Sequence, residues 1–579
     1  MERAANKSYA LLGGCLLLAG LVFLVYLPAL HGGFIFDDDN ILTTNPLVRA
    51  HDGFWRFWTP WEPELVDYWP VTTSSFWLEW RIWGSDPTGY HLTNILLFAA
   101  DAILLWWVLR RLRLPGAFAG ALLFAAHPVN VQSVAWIAER KNVLSLLFYL
   151  AAIGCFLRSG RTRPPGTAAA GRERLWYGLS LGAFVLAMLS KGSVAILPLV
   201  LLGIVAWHRR LAWRDALWSA PYFAVAGGLT LLNMAFQKHG FAAPIRSAGL
   251  LERTLEAGAT VCFYLAKAVF PAHLVFVYPL WHVAPGNPLW WLPLLAALAV
   301  TALLWARPRW RALRFAWLYF VAALVPVLGF ADISFMRYTL VADHYQQLAL
   351  IGVAAALGAA AARWAPRWAV PAAAALLAIL TWRQAGIYRD AEALYRATLA
   401  ANPQCWLADN NLGIAEANSG RTPEARAHFV EALRLNPDYP EANFNLGLIE
   451  LPRSGPAAAE PYFERAVQFS PRYAMARYYL ANTLRALGRS DDALRQYAEA
   501  IRLQPDFPQA ENNLGTVLAA AGRVGEALPH FAAAVRLDPG FAQAHLNLGY
   551  ALQAEGRAGE AAEQFTLAAR LDPRLANRP

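Results

Sequence analysis

Long apolar runs separated by short polar segments fill the first two thirds of this chain. A helix needs about 20 mostly apolar residues to cross the hydrocarbon of a bilayer, and about eleven runs reach that length. These runs lie roughly at residues 9–30, 92–112, 115–132, 142–158, 175–190, 192–208, 215–236, 289–306, 313–330, 347–362 and 367–382. The pattern predicts a polytopic helix bundle. The first run is too long for a cleaved signal and no Ala-x-Ala site follows it, which predicts a signal anchor.

A different pattern covers the last third, where marker residues recur every 34 positions. The prolines that close the units are Pro403, Pro437, Pro471, Pro505, Pro539 and Pro573. Leu-Gly or Leu-Ala pairs, single alanines and Phe or Tyr residues keep the same register. This is the tetratricopeptide (TPR) period. It predicts five two-helix repeats from Trp406, preceded by a half repeat, stacked into a superhelix with an extended concave surface. The fold class is therefore all-α.

Charge divides the chain at the same place. The first 383 residues hold 31 Lys and Arg against 18 Asp and Glu, whereas residues 384–579 hold 19 against 22 and no lysine. We therefore expect a membrane domain at 1–383 and a repeat domain at 384–579. Basic residues spread between apolar runs indicate topology better than a nucleic-acid surface, so no nucleic-acid partner is expected. The four cysteines are far apart and suggest no disulfide framework.

Basic residues also orient the bundle, because cytoplasmic loops are enriched in them. Alternate loops carry 19 and 12 Lys and Arg in total. The richer set contains Arg3, Lys7, Arg110–Arg113, Arg158–Arg174, Arg209–Arg214, Arg307–Arg314, Arg363 and Arg367. This predicts a cytoplasmic N-terminus and, with an odd number of crossings, repeats on the outer face. A crossing at 255–280 would put Arg307–Arg314 outside, so we expect a re-entrant or interfacial piece there.

The predicted first outer loop, at about 31–91, is rich in tryptophan. It contains Trp55, Trp58, Trp61, Trp69, Trp77, Trp80 and Trp83. Tryptophans at this density are typical of helices that lie at the membrane interface. Packing of the loop onto the bundle explains them equally well.

Three adjacent aspartates, Asp37, Asp38 and Asp39, follow the first span. Neighbouring carboxylates repel one another, so at least one needs a cation, a metal, a hydrogen-bonding substrate or a proton as partner. One of them is a candidate general base. A helix cap or a solvated loop is the equally weighted alternative. Three acids are fewer than a full shell for a hard cation, which leaves a divalent metal open.

Cations near predicted span ends are candidates for binding a phosphate. Arg140 and Lys141 suit a lipid phosphate, although snorkelling at a helix end also explains them. Lys191 and Lys267 lie in or beside apolar segments, where charge is costly and usually functional. A later cluster combines Arg337 with Asp343, His344 and Tyr345, which suit a phosphate contact or a helix anchor.

In four repeats an asparagine precedes the Leu-Gly pair. The residues are Asn411, Asn445, Asn513 and Asn547, with Tyr479 at the equivalent position of the third repeat. Side-chain amides can hydrogen-bond the backbone of an extended peptide. We expect peptide binding here, and bridging between adjacent repeats is the alternative.

In their order along the chain, these motifs resemble the transmembrane and tetratricopeptide-repeat protein O-mannosyltransferases, a branch of the GT-C glycosyltransferases, in a bacterial form. The resemblance rests on a series of short motifs and on the architecture. The motifs are Phe36-Asp37-Asp38, Asn45-Pro46, Tyr90-His91 with Asn94, His127-Pro128 through Arg140-Lys141, Ser190-Lys191 and Asp343-His344-Tyr345. The resemblance implies a GT-C membrane bundle. In it an outer acidic residue activates a Ser or Thr hydroxyl, which attacks a sugar carried on polyprenyl phosphate with inversion.

Carried over residue by residue, Asp37 or Asp38 matches the acidic pair of the family and Asp39 is an extra acid. The implied donor-phosphate residues are Arg140, Lys141, Lys191, Lys267, His344 and Tyr345. The implied donor and acceptor pocket adds His91, His127, Glu139, Arg337 and Asp343. His344 stands where relatives often carry arginine, which would make its charge depend on pH.

The expected substrates are a polyprenyl-phosphate sugar, mannose or another hexose, and a polypeptide held by the repeats. The expected location is the bacterial inner membrane, with the site and the repeats on its periplasmic face. Two alternatives stay open: a non-catalytic membrane-anchored repeat scaffold, and a GT-C transferase that acts on lipid or glycan.

Overall fold

The computed structural model describes residues 2–60, 67–162, 170–240 and 246–575. Trp61 and Arg163 lie outside the described residues, as do the side chains of Arg3 and Lys7. Within those ranges the secondary structure is helical and contains no strand, which confirms the all-α class. The chain forms two compact units, Met1–Pro403 and Gln404–Pro579.

The first unit contains seventeen of the described helices. They are α1 Glu2–Leu30, α2 Pro46–Arg49, α3 Gly53–Arg56, α4 Pro70–Trp83, α5 Pro87–Arg111, α6 Ala117–Ala125, α7 Val131–Ala135, α8 Arg140–Arg158, α9 Ala170–Ser190, α10 Leu197–His208, α11 Trp213–Gly240, α12 Leu250–Val269, α13 Trp291–Ala306, α14 Arg311–Leu324, α15 Gln347–Trp364, α16 Ala369–Ile387 and α17 Ala391–Ala401. The expected half repeat corresponds to α17, which lies within this first unit.

Eight helices among the described residues are long and apolar enough to cross a membrane, or nine if the bent pair Ala117–Ala125 and Pro128–Ala135 is one span. Two of the eleven expected runs fall outside this count. Residues 175–190 lie in α9, and Gly192–His208 is a shorter apolar helix. The stretch 255–280 is no continuous helix either, because α12 ends at Val269 and irregular chain follows.

The segment after α12 is irregular yet buried from Leu274 to Tyr278. Buried carbonyls need donors, and side-chain amides from distant parts of the first unit supply them. Gln132 donates to Phe276, Gln384 to Leu274 and Asn402 to Val277. Hydrogen bonds from these side-chain amides to its backbone carbonyls therefore hold the non-helical segment inside the bundle.

Helix α4 exposes apolar side chains and buries polar ones, which is the reverse of a helix on the surface of a water-soluble protein. Leu78 and Ile82 are 53% and 66% exposed, whereas Thr72 and Glu79 are buried. A helix that exposes apolar and buries polar groups matches a lipid environment. The tryptophans around it divide into two groups: Trp77 donates to the Ala50 carbonyl inside the loop, and other tryptophans remain exposed.

The second unit repeats one helical hairpin. Its helices are α18 Trp406–Asn418, α19 Thr422–Leu435, α20 Pro440–Ser454, α21 Pro456–Phe469, α22 Ala474–Ala486, α23 Ser490–Leu503, α24 Pro508–Ala520, α25 Val524–Leu537, α26 Ala542–Ala554 and α27 Ala558–Leu571. The glycine of each Leu-Gly pair lies against the aromatic ring of the second helix, as Gly447 does against Phe463. A larger residue there would meet that ring, which explains the 34-residue pairing of small and aromatic positions.

Short turns with 3-10 or π geometry connect several helices. They are Asp39–Thr43, Pro128–Asn130, Ile137–Glu139, Gly192–Ile196, Pro288–Trp290, Pro308–Trp310, Val325–Val327, Ser334–Arg337, Asp343–Tyr345 and Pro573–Leu575. Most candidate site residues lie in these turns or beside them, where the backbone departs from regular helix.

Candidate functional site

The three aspartates after α1 have three different environments. The Asp38 carboxylate accepts hydrogen bonds from the backbone N–H groups of Ile35 (2.9 Å) and Ala138 (2.7 Å). Asp39 is exposed and accepts from the Thr43 hydroxyl at 2.7 Å. Asp37 alone has a buried carboxylate oxygen, Oδ1, without a hydrogen-bond partner. Asp38 and Asp39 are therefore held by hydrogen bonds to neighbouring groups. Asp37 is the one of the three aspartates with a buried carboxylate oxygen that can still accept a hydrogen bond.

Burial raises the pKa of Asp37 from 3.8 to about 6, with Lys141 opposing and Glu139 reinforcing the shift. Burial also raises the pKa of Asp38, and the charge of Asp37 adds to that effect. The two acids are adjacent, so ionising both is unfavourable. At neutral pH, Asp37 is the carboxylate best suited to accept a proton.

Phe36, directly before Asp37, has a left-handed backbone with φ 52°. This conformation is strained for a residue with a bulky side chain. Edge-to-face contacts hold its ring against Trp136 and Phe276 at 5.6 and 5.5 Å between ring centroids, and Phe335 lies at 6.3 Å. The aromatic cluster thus fixes the turn that directs Asp37.

Glu139 is the centre of a buried ionic network. Its carboxylate lies 2.8 Å from Lys141 Nζ and 3.3 Å from Lys191 Nζ. Asn142 donates to the same carboxylate at 2.5 Å and accepts from Lys191 at 2.5 Å. Burial lowers the pKa of Lys191 to about 8, with Glu139 opposing the shift. Two lysines from distant segments therefore share one glutamate, and the charges of Asp37 and Asp67 also act on Lys141.

A small pocket adjoins this network. Its polar lining is Asn142, Ser145, Ser193, His344, Tyr345 and Gln347, and its apolar lining is Leu146, Val194, Ala323, Val327 and Leu348. The Tyr345 hydroxyl and His344 Nδ1 are buried without hydrogen-bond partners. Unpartnered polar groups around an internal space are suited to a polar ligand.

His344 is not the pH-dependent cation that its place in the motif suggests. Burial lowers its pKa to about 3, and Glu139 at 4.0 Å opposes this only in part. The ring is therefore neutral at ordinary pH. The burial of the ring does not fit the pH-dependent charge expected from the sequence, and its Nδ1 is left without a hydrogen-bond partner.

Arg140 is likewise placed differently from the expected phosphate ligand. Its side chain is fully buried and pairs with Glu79 on α4. Its remaining donors contact the Asn94 side chain at 2.7 Å and the Tyr90 carbonyl at 3.0 Å. Since protein acceptors surround the guanidinium, Arg140 joins α4, α5 and α8 and is not placed to hold a donor phosphate.

The two histidines of the expected pocket differ in their contacts. His127 Nδ1 accepts from the Val129 N–H at 3.3 Å, and its Nε2 lies 3.1 Å from the Ala268 carbonyl. His127 therefore caps the turn between the two halves of the bent pair. His91 is buried where the chain passes at Gly32, with both ring nitrogens lacking a hydrogen bond.

Asp343 belongs to a second polar group. It accepts from the Tyr278 hydroxyl at 2.8 Å, and burial raises its pKa to about 7. Lys267 donates to the carbonyls of Ala272 (2.7 Å) and His273 (3.1 Å). Lys267 thus stabilises the irregular segment after α12. Arg337 is exposed and donates to the Ser334 carbonyl, so it lies at the surface of the first unit.

The repeat asparagines form bridges between repeats, the alternative that the sequence left open. Asn445 donates to Asn410 at 3.0 Å, and Asn547 donates to Asn512 at 2.8 Å. Asn513 donates to Asn482 at 2.9 Å. Asn411 accepts from its neighbour Asn410 at 3.0 Å. The side-chain amides that we expected to hydrogen-bond a peptide backbone therefore hydrogen-bond other residues of the repeats.

Several site residues escaped the sequence reasoning. Glu79 neutralises Arg140, Asn142 links Glu139 to Lys191, and Gln132 accepts from the His344 N–H at 3.0 Å. Only Glu79 carried a signal, as the one acidic residue within the aromatic run Phe76–Trp83. Amides such as Asn142 are too common in helices to be singled out without their partners.

No group of three or more His, Cys, Asp or Glu side chains in the described part of the chain has an arrangement suited to a metal ion. Asp37, Asp38 and Asp39 diverge toward different partners. The candidate site is therefore defined by Asp37, the Glu139 network and the adjoining pocket.

Fold and site together define a polytopic membrane helix bundle with a buried acid–lysine site, followed by tetratricopeptide repeats. A tetratricopeptide-repeat profile matches residues 376–440, 411–474, 478–540 and 513–576. A solved repeat protein, YrrB, described as having an unusual peptide-binding site, is 24% identical. The match covers 31% of this chain and 95% of that one, with a TM-score of 0.29.

Similar curated proteins are protein O-mannosyl-transferases. F38B6.6 of Caenorhabditis elegans is 32% identical over 24% of this chain and 22% of its own length. Tmtc1 of Drosophila melanogaster is 33% identical over 28% and 20%, and human TMTC2 is 32% identical over 24% and 18%. This chain thus spans about a fifth of the length of these relatives. The matches confirm the resemblance to the transmembrane and tetratricopeptide-repeat O-mannosyltransferases.

Proposed function

We propose that this protein transfers a sugar, mannose or another hexose, from a polyprenyl-phosphate donor to Ser or Thr hydroxyls of a protein. The observation that carries the proposal is the buried, unpartnered carboxylate oxygen of Asp37 beside the Lys141–Glu139–Lys191 network. Similarity to protein O-mannosyl-transferases supports the reaction class.

In the proposed mechanism, Asp37 takes the proton of the acceptor hydroxyl. The hydroxyl oxygen attacks the anomeric carbon while the bond from that carbon to the phosphate oxygen breaks. A single displacement inverts the configuration, and the phosphate leaves with the bonding electron pair. Catalysis requires that charge developing on the leaving group be stabilised more than the ground state. Lys141 and Lys191 would supply that stabilisation.

The pocket beside the lysines is where the donor would meet the site, and its wall has hydroxyl and amide groups on one part and apolar side chains on another. Tyr345 and neutral His344 would hydrogen-bond the sugar or a phosphate oxygen. Glu139 would hold the two lysines in place, because removing it would leave two cations to repel each other. We further propose that the site and the repeats face the outer side of the bacterial inner membrane, and that the repeats hold the acceptor polypeptide.

The test compares Asp37→Asn with Asp39→Asn in the full-length protein, using a radiolabelled polyprenyl-phosphate mannose donor and a Ser/Thr-rich acceptor. The two variants lose the same charge from neighbouring positions. Loss of a general base is expected to lower the transfer rate by roughly 10²–10⁴, whereas Asp39→Asn stays near the wild-type rate. Wild-type turnover by Asp37→Asn would contradict the assignment of the base.

The same assay separates the two alternatives. A non-catalytic scaffold incorporates no label into any acceptor, and a lipid- or glycan-directed transferase labels those acceptors but no protein. Label in protein that is lost on Asp37→Asn is the result expected from the proposal.

A further inference from the structure

The membrane unit carries arginines at the opposite helix ends from Asp37, and three neighbouring ones that have no acidic partner within the described residues lie against aromatic rings. Arg111 ends α5, Arg158 ends α8, and Arg161 follows in the next turn. Arg111 and Arg158 are exposed and Arg161 is half-buried. Within the described residues, no carboxylate lies within ion-pair distance of any of the three guanidinium groups.

The guanidinium groups of Arg111 and Arg158 lie over the same aromatic ring. Their Cζ atoms are 5.0 and 5.1 Å from the ring centroid of Trp107. Gly154 lets that indole lie directly on α8, because any side chain there would meet it. The two cations are thus within about 10 Å of each other, a distance at which unscreened like charges repel.

The arrangement continues across α9. Arg158 lies 4.6 Å from the Trp176 ring, and Arg161 lies 5.1 Å from the Tyr177 ring. We call this set the arginine–aromatic row: Arg111, Arg158 and Arg161 with Trp107, Trp176 and Tyr177. The Tyr177 hydroxyl donates to the Trp218 carbonyl at 2.7 Å, which fixes its ring. The row is therefore anchored by α5, α8, α9 and α11.

Other arginines at this end have protein partners. Arg209 makes two hydrogen bonds to Asp215, at 2.7 and 2.6 Å. Arg311 donates to the carbonyls of Ala206 and Trp207. Arg110 also lies over a ring, with its Cζ 5.4 Å from the Trp106 centroid. The row differs in that Arg111 and Arg158 share one ring, Trp107, and that the N–H edges of its guanidinium groups have no acceptor within the described residues.

Stacking occupies the faces of the guanidinium groups and leaves their N–H edges free, and those edges match the oxygens of a phosphate group. Because the row lies at the ends of helices long enough to span a bilayer, the phosphate within reach is that of a phospholipid. We propose that the arginine–aromatic row binds the phosphate headgroup of an anionic phospholipid. This lipid site is separate from the candidate catalytic site and does not depend on the proposed function.

Simple snorkelling of cations toward water is the competing explanation. Snorkelling predicts equal contributions from any exposed arginine at this end of the bundle. A built site predicts that the stacked arginines matter more than unstacked ones of the same charge.

The test uses the full-length protein in a neutral detergent, titrated with fluorescent phosphatidylglycerol or with phosphatidylcholine of the same acyl chains. The wild type is expected to prefer phosphatidylglycerol. The double variant Arg111→Gln/Arg158→Gln is expected to lose about tenfold or more of that affinity. Its affinity for phosphatidylcholine is expected to stay unchanged.

The matched control is Arg210→Gln/Arg309→Gln, which removes the same charge from two exposed arginines at the same end that lie outside the row and are stacked on no ring within the described residues. It is expected to keep the wild-type affinity. An equal loss in both double variants, or no preference for the anionic lipid, would overturn the proposal. Displacement of the lipid by millimolar inorganic phosphate would also overturn it, because the site would then bind free anions.

Melting temperatures in the same detergent check that each variant is folded. If the double variant unfolds, the single variant Arg161→Gln serves instead, with Arg210→Gln as its control. If folded Arg161→Gln then binds phosphatidylglycerol as the wild type does, the proposal that the arginine–aromatic row binds the lipid headgroup is wrong.

Discussion

The membrane unit and the repeat unit place their charged groups in opposite ways. In the membrane unit, Arg140, Glu139 and Asp38 are almost completely buried and their partners come from distant segments. In the repeats, most ion pairs are exposed and join residues three apart on one helix, as Arg523 and Glu526 do. Buried charge is costly unless it is paired and hydrogen-bonded.

This difference indicates where function lies. The repeat unit satisfies its polar groups by short-range pairing and by bridges between equivalent positions. The membrane unit keeps an unpartnered carboxylate, two lysines on one glutamate and a strained Phe36 backbone in one region. Departures of this kind from ordinary stabilising rules concentrate at functional sites.

The largest effect expected from this comparison is on stability, for Arg140→Ala. The substitution leaves Glu79 buried without a partner, and breaking a buried pair in this way costs about 3–5 kcal/mol. The measurement is the melting temperature of the full-length protein in detergent. Replacing both partners, as Arg140→Met/Glu79→Leu, is expected to recover part of the loss. A wild-type melting temperature for Arg140→Ala would mean that the pair is dispensable.

A smaller effect concerns pH. Because Asp37 has a pKa of about 6 instead of 3.8, it is protonated below that pH and cannot act as a base. Transfer activity is expected to fall about tenfold per pH unit below pH 6. A pH–rate profile of the full-length protein measures this. An acid limb near pH 4 would show that Asp37 is not the base.

The same shift has a consequence for stability. The native state binds more protons at Asp37 than the unfolded state between pH 3.8 and about 6. The contribution of this group to stability therefore falls as pH rises through that window. Asp37→Asn is expected to remove that part of the pH dependence, which thermal unfolding at several pH values would detect.

The smallest effect is expected in the repeats. Arg523→Ala removes an exposed pair with Glu526, and such pairs contribute about 0.2–1 kcal/mol. Its melting temperature should lie close to that of the wild type. A loss as large as that of Arg140→Ala would contradict the distinction between buried and exposed pairs drawn from the two units.

The sequence by itself determined the repeat architecture and the helical membrane unit. The 34-residue period and the long apolar runs are local patterns, and each element buries the face that its own residues make apolar. The sequence also located the acidic cluster and the cluster Asp343-His344-Tyr345. It could not rank Asp37, Asp38 and Asp39, which are adjacent and chemically identical.

Tertiary structure decided which partners surround each of these groups. Asp38 is bound by the N–H of Ala138, a hundred positions away in the chain, and Arg140 is paired with Glu79 across 61 positions. The repeat asparagines found partners about one repeat away, on the neighbouring hairpin. The environment of a polar side chain depends on residues brought close by folding, and for that reason its role is settled only in three dimensions.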